Sequence, residues 1–309
     1  MFEARYKNQA DLLLRILPYV ADEKDLALKG GTAINLFIRE MPRLSVDIDL
    51  VYLPFNQRDS ALRAIADSLE RVAKHIQAAI PGLHITKRPQ PEQGDVKLIC
   101  QLDQALVKIE VNTVMRGHLW DVRTLQLVQS AQDTFGKFAA IQVISQPELY
   151  GGKICAALDR QHPRDLFDIR VLLDHEGLSQ DLFQGYLVAL LSHNRRFHHL
   201  IRPDLKDQRD LFNTQFRGMA RHHFEYDDFN ATREQLIQTI SRWFTARERD
   251  FLISFLQGEP NWDLFPIPNL ADLPAIQWRL LNIEKVKQND PESHARQIKA
   301  LYACFQDNG

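Results

Sequence analysis

The stretch Gly30-Gly31-Thr32, followed after a helix-length gap by Arg43-Leu44-Ser45-Val46-Asp47-Ile48-Asp49-Leu50, decides how the first half of this chain folds. Asp47 and Asp49 stand two apart in an apolar, strand-like run. A two-residue period sends both carboxylates to one side and Val46, Ile48 and Leu50 to the other. Carboxylates held so close repel each other unless a proton or a hard cation neutralises them, and Mg2+ is the economical candidate. The glycines let backbone approach a phosphate closely, and Thr32 adds a hydroxyl. A pair of solvent-facing acids on an edge strand is the alternative reading, and the adjacent Gly-Gly-Thr weighs against it.

Upstream, Leu12, Leu13, Ile16 and Val20 share one helix face, and Leu26-Ala27-Leu28-Lys29 runs into the glycines. Thr32 is expected to cap a short helix over 33–39, whose first-turn N–H groups would favour an anion beside the glycine turn. Pro42 marks a break before a strand over 45–52. Ser45 can contact phosphate or serve as a hydrogen-bonding residue at the start of the strand, and Arg43 can neutralise phosphate or lie on the surface. Downstream, Leu62, Ile65, Leu69, Val72, Ile76 and Ile80 form a helical stripe that Pro81-Gly82 ends. Strands are predicted over 83–86, 96–102 and 106–112, with a loop over 87–95 containing Pro89, Pro91 and Gly94. In the last of these strands Lys108, Glu110 and Asn112 alternate with Val107, Ile109 and Val111, so Glu110 can project towards Asp47 and Asp49 as a third acid or simply occupy a solvated face.

The glycine and aspartate motifs resemble the opening of the polymerase-beta-like nucleotidyltransferases. Further on, Lys153-Ile154-Cys155-Ala156-Ala157-Leu158-Asp159-Arg160 and Pro163-Arg164-Asp165-Leu166-Phe167-Asp168 resemble the second signature of the AbiEii toxins and their MenT relatives. The resemblance implies an α/β (α+β) nucleotidyltransferase core with a mixed sheet. It implies that Asp47 and Asp49 are catalytic and hold Mg2+. Gly30, Gly31, Thr32, Ser45 and Lys153 would bind a nucleoside triphosphate, and Asp165 would be an acidic partner near the nucleophile. Many members of the superfamily carry serine where this chain has Thr32, and both residues present a hydroxyl. Enzymes of the superfamily often carry a third carboxylate at a place like that of Glu110. By the same resemblance an acceptor hydroxyl attacks the α-phosphorus, the acceptor is the 3′ end of tRNA, and a separately encoded antitoxin opposes the activity without a stable complex. Protein hydroxyls and aminoglycoside-like small molecules are alternative acceptors, and an inactive nucleic-acid or protein-binding module is the alternative of another class.

On a continuous helix Lys153 and Arg160 are seven residues apart and share a face, while Pro163 begins the next helix. Asp165 falls in that helix's first turn, where an acid is favoured electrostatically even without chemistry. Asp168 reads as an interdomain hydrogen-bonding residue.

From about Pro147 the apolar period is helical, clearest over 149–158, 166–173, 182–191 and 236–256, with two terminal helices near 276–286 and 293–305. At 309 residues the chain exceeds the ~250 to 300 residues at which single cores stop growing. Two domains are therefore expected: a nucleotidyltransferase domain over 1–145 and a mainly helical domain over 146–309 that completes the cleft, with Lys153 and Asp165 reaching back.

The formal net charge of −2 gives the molecule no general attraction for nucleic acid, so a polyanion site must be a local patch. Residues 191–223 hold seven Arg or Lys against three Asp, and Arg195, Arg196, Arg202, Lys206 and Arg209 are the candidate RNA contacts, with a solvated helix surface as the alternative. Cys100, Cys155 and Cys304 are too far apart for a CxxC site and fit small buried hydrophobes in a reducing compartment. No run of eighteen apolar residues and no signal-peptide core are present, so no membrane span is expected and cytoplasm is the simplest address.

Overall fold

The computed structural model describes residues 2–90 and 95–306. The chain divides into two compact units: Met1–Leu149 with Asn213–Phe224, and Tyr150–Phe212 with Glu225–Gly309.

The first unit is built from α1 (Ala4–Ala21), β1 (Leu26–Lys29), α2 (Gly30–Ala33), β2 (Asp47–Tyr52), α3 (Arg58–Ala79), β3 (His84–Gln90), β4 (Asp95–Leu102), β5 (Ala105–Asn112), β6 (Arg123–Gln126), α4 (Gln129–Phe135) and β7 (Ala140–Val143). The described strands form one seven-stranded mixed sheet in the order β3-β4-β5-β2-β1-β7-β6. The pairs β2/β5 and β1/β7 are parallel, and the others are antiparallel. α1 packs on β5, β7 and α3, and α3 packs on β3 and β4. Ile48 and Leu50 of β2 and Ile109 and Val111 of β5 are neighbours in register and buried, which is the apolar half of the alternation read from sequence.

Two local expectations change in this unit. The helix over 33–39 is instead α2 followed by a π-helical turn, Ile34–Ile38, so Thr32 lies inside helical structure and makes no N-cap. The predicted loop over 87–95 shortens, because β3 runs to Gln90 and β4 starts at Asp95; residues 91–94 lie outside the described residues. The pairing of seven consecutive positions across β3 and β4 outweighs the turn signal of Pro89.

The second unit is helical, with most of α5 (Gln146–Arg160), then α6 (Pro163–His175), α7 (Gln180–Ser192), α8 (Phe197–Ile201), the single turn α9 (Arg209–Leu211), α10 (Tyr226–Trp243), α11 (Ala246–Leu256), α12 (Pro274–Asn289) and α13 (Pro291–Gln306). The apolar run over 236–256 is two helices, because a capping box between Thr245 and Glu248 starts α11. α5 and α7 touch through glycines: a Cβ added at Gly151 would sit 2.2 Å from the carbonyl carbon of Gly185. Phe183, Tyr186 and Phe244 form an aromatic core cluster beside this contact.

Among the described residues no helix is long and apolar enough to cross a membrane.

Candidate active site

β1 and β2 are antiparallel neighbours with Lys29 opposite Asp49, so the glycines that follow β1 lie beside the start of the carboxylate strand. Asp47 and Asp49 are part-exposed, while Ile48 and Leu50 between and after them are fully buried. Both acids therefore share the open side of β2. Gly30 has φ of 72°, and a Cβ there would stand 2.5 Å from Asp49 Oδ2. A Cβ at Gly31 would stand 2.6 Å from a terminal guanidinium nitrogen of Arg43. The two glycines are thus needed for two different reasons: one lets a carboxylate rest against backbone, the other lets a guanidinium do so.

Arg43 is only 2% exposed, so it is no surface arginine; its Nη1 donates to the carbonyl of Leu44 at 2.9 Å. Thr32 and Ser45 are buried, their hydroxyl oxygens 2.8 Å apart, and Thr32 also donates to the backbone carbonyl of Asp47. A hydroxyl has one proton, so with Thr32 donating to that carbonyl, Ser45 donates to Thr32. These two residues tie the turn after β1 to the first residue of β2.

The approach to β2 is held by a distant part of the chain. Arg43 bridges Ala220, Leu44 N–H donates to the Met219 carbonyl at 2.9 Å, and Arg221 N–H donates to the Pro42 carbonyl at 2.8 Å. Segment 213–224 has no sequence signature for this brace, since one isolated bridge leaves no periodic pattern.

Glu110 lies opposite Asp49 in the parallel β2/β5 ladder, and its Oε1 is 3.0 Å from Lys97 Nζ on β4. Lys97 stands opposite Glu110 in the antiparallel β4/β5 ladder, a register that local spacing in the sequence does not fix. Among the described residues no three His, Cys, Asp or Glu side chains converge as a metal-binding group. The donor set is two carboxylates, which suits Mg2+: that ion is commonly held by one or two carboxylates together with substrate phosphates and water.

In the second unit Lys153 (6% exposed) stands between Asp165 (1%) and Asp168 (2%), with Nζ 3.0 Å from Asp165 Oδ1 and 2.9 Å from Asp168 Oδ2. Arg160 completes the pair to Asp165, with Nε 2.5 Å from Oδ2 and Nη2 3.0 Å from Oδ1. His162 caps α6 by accepting from Arg164 N–H, and Pro163 opens the helix. Burial alone would raise the Asp165 pKa, but Lys153 and Arg160 outweigh it and hold the carboxyl well below the ordinary range. Gln161, fully buried with φ of 50°, accepts from Arg233 Nη1 and Lys206 N–H and donates to the Asp204 carbonyl. It anchors the chain after α8 to the end of α5, a role that no local signal in the sequence announces.

Arg195 pairs with Asp159 at 2.9 Å, Lys206 Nζ donates to the Asp159 carbonyl at 2.5 Å, and Arg209 lies 4.3 Å over the Tyr226 ring. Arg196 is exposed, and Arg202 lines an open cleft of about 520 Å³ with Leu205, Glu234, Ile237, Ser241 and Arg242. Burial, then His199 and Arg196, lower the His198 pKa to about 4, so that imidazole is neutral at pH 7. Residues 213–223 of the run belong to the first unit.

Gly30→Ala is expected to displace the Asp49 carboxylate and to force a side chain into the left-handed region, costing about 1–2 kcal/mol of stability together with most of the activity. Urea denaturation and an assay of nucleotide transfer check this; an active Gly30→Ala protein would mean that the contact with Asp49 is dispensable.

A family model described as nucleotidyl transferase AbiEii toxin, type IV toxin–antitoxin system, matches residues 11–280. Among solved structures, MenT4, a nucleotidyltransferase toxin of Mycobacterium tuberculosis H37Rv, superposes with a TM-score of 0.61 over 98% of this chain and 95% of its own, at 12% identity. At that identity the likeness is one of fold. No curated protein matches the chain by sequence.

Proposed function

Because the chain belongs to the AbiEii family of nucleotidyltransferase toxins of type IV toxin–antitoxin systems, we propose that it transfers a nucleoside monophosphate from a nucleoside triphosphate to the 3′ end of tRNA in an Mg2+-dependent reaction. The observation that carries this reading is the Asp49 carboxylate seated against Gly30 backbone, with Asp47 on the same side of β2. Asp47 and Asp49 are the residues that would hold Mg2+, which when bound offsets the charge developing on the α-phosphate and the departing pyrophosphate.

The acceptor hydroxyl oxygen forms a bond to the α-phosphorus as the bond to the bridging oxygen breaks and pyrophosphate leaves, and the hydroxyl proton is lost to a base. Gly30 and Gly31 keep the turn after β1 free of side chains that would obstruct the phosphates. Thr32 and Ser45 act by fixing that turn to β2; Ser45 can donate to a phosphate only if its bond to Thr32 opens, and Thr32 only if its bond to the Asp47 carbonyl opens. Lys153 has three donors, of which Asp165 and Asp168 engage two, leaving one for a phosphate oxygen. Asp165 is held too acidic to accept a proton effectively at pH 7, so its part is to hold the Lys153 ammonium in place. Glu110, paired with Lys97, is the remaining acid beside Asp49 and the residue to test as base. Arg195, Arg196, Arg202, Lys206 and Arg209 are the basic residues assigned to the RNA backbone. The family implies a separately encoded antitoxin; we propose that it opposes the activity without a stable complex, and that the reaction takes place in the cytoplasm.

The test supplies each α-labelled nucleoside triphosphate with Mg2+ to the protein in total cell extract. Label is expected in small RNA, sensitive to ribonuclease and lost when 3′ ends are blocked. Label that resists ribonuclease and is released by protease would overturn the tRNA assignment in favour of a protein hydroxyl. Label on an aminoglycoside would move it to a small molecule, and no transfer from any nucleotide would leave a binding module.

A further inference from the structure

Arg116 follows β5 and is 6% exposed, yet its Nε and Nη1 are buried without a hydrogen-bond partner. An unpaired buried guanidinium is costly, so a site that keeps one needs a reason. The backbone around it is firmly fixed: Asn112 Oδ1 accepts from Val114 and Met115 N–H, and Gly117 N–H donates to the Tyr52 carbonyl at 2.8 Å, tying the segment to the end of β2. Five residues after β2 and its tie to this segment, Gln57 leads into α3 as its N-cap and makes no side-chain capping hydrogen bond. Arg58 opens that 22-residue helix, is exposed, and acts on Arg116 as a second positive charge. The one acid in the first turn, Asp59, is also exposed.

Two arginines and the positive end of a long helix therefore meet beyond the C-terminal ends of the central strands β2 and β5. Tyr52 is buried there, with Asn56 Nδ2 donating to its hydroxyl at 2.9 Å. Alternation along β2 sends the Tyr52 side chain to the face opposite Asp47 and Asp49. An exposed Phe55 and the His118 ring, 6.4 Å apart, come from the same two segments.

We propose that Arg116 and Arg58, at the start of α3, form a second anion site that takes a phosphate group and is distinct from the carboxylate pair. A guanidinium matches two phosphate oxygens at once, and the helix N–H groups supply further donors. Phe55 and His118 flank the site with a surface on which a base can stack, which fits a nucleoside phosphate better than free phosphate. The inference goes beyond the proposed transfer reaction and does not rest on it.

The test titrates the full-length protein with potassium phosphate and with adenosine 5′-monophosphate, each against potassium chloride at equal ionic strength, following backbone amide shifts and melting temperature. Saturable binding above the chloride control is expected, tighter for the nucleotide. Arg116→Met should remove it. Arg58→Ala, a change at an exposed position that leaves the fold intact, should weaken it roughly ten-fold. Asp49→Asn should bind phosphate as the unmodified protein does, which separates this site from the one proposed for catalysis. The proposal is overturned by a wild-type protein that responds no more to phosphate than to chloride, or by affinities unchanged in both arginine variants. Binding lost in Asp49→Asn and kept in Arg58→Ala would also overturn it, because the phosphate would then sit at the carboxylates.

Discussion

Asp49→Asn and Asp47→Asn are each expected to reduce nucleotide transfer by roughly a thousand-fold, the equivalent of about 4 kcal/mol of transition-state stabilisation. Asparagine keeps the shape of the side chain and removes the charge that would hold a divalent cation. Both carboxylates are part-exposed on the open side of β2, whereas the strand's hold on the core comes from Ile48 and Leu50 on the other side. Stability should therefore stay within about 0.5 kcal/mol of the unmodified protein. Single-turnover transfer from an α-labelled nucleoside triphosphate, with urea denaturation of the same preparations, reads both quantities. A folded variant that transfers at the normal rate would end the two-carboxylate mechanism.

Lys153→Met should act on the fold as well as on the chemistry. It leaves Asp165 and Asp168 buried without their shared ammonium, and breaking a buried pair in this way costs about 3–5 kcal/mol. For a chain of 309 residues, at about 1.5 °C per kcal/mol, that lowers the melting temperature by roughly 5–8 °C. The pH dependence follows from the depressed Asp165 pKa. Its ionised form is favoured in the folded protein, so its contribution is fully present above the ordinary carboxylate value of 3.8 and is lost as pH falls below it. The gap between the two proteins should thus be widest near neutral pH and shrink in acid, as protonation relieves the stranded carboxylates of the variant. Urea denaturation at pH 7, 5 and 3 measures it. A variant of normal stability at pH 7 that has lost only nucleotide affinity would make Lys153 a phosphate ligand with no structural burden.

The sequence by itself determined the parts of this protein that are set by local spacing. A two-residue period around Asp47 and Asp49 names a strand with one acidic and one apolar side, and β2 has that form because strand side chains alternate whatever surrounds them. The helical periods of α1, α3, α6 and α7 and the proline at the start of α6 were legible for the same reason. The family, too, was carried by short motifs in the right order. Tertiary structure alone decided what those motifs touch. Gly30 is glycine because Asp49, nineteen positions later, lies against it, and Gly31 because Arg43 does. Thr32 turned out to be a tie to Ser45 and β2 inside a helical turn, since a hydroxyl takes whichever partner the packing brings and sequence spacing cannot say which. The brace from Met219 and Ala220 onto residues 43 and 44, and the two buried guanidinium nitrogens of Arg116 without partners, are of the same kind. Each depends on a contact or a missing contact between distant residues, where no period exists to be read, and only the packed chain fixes which groups meet.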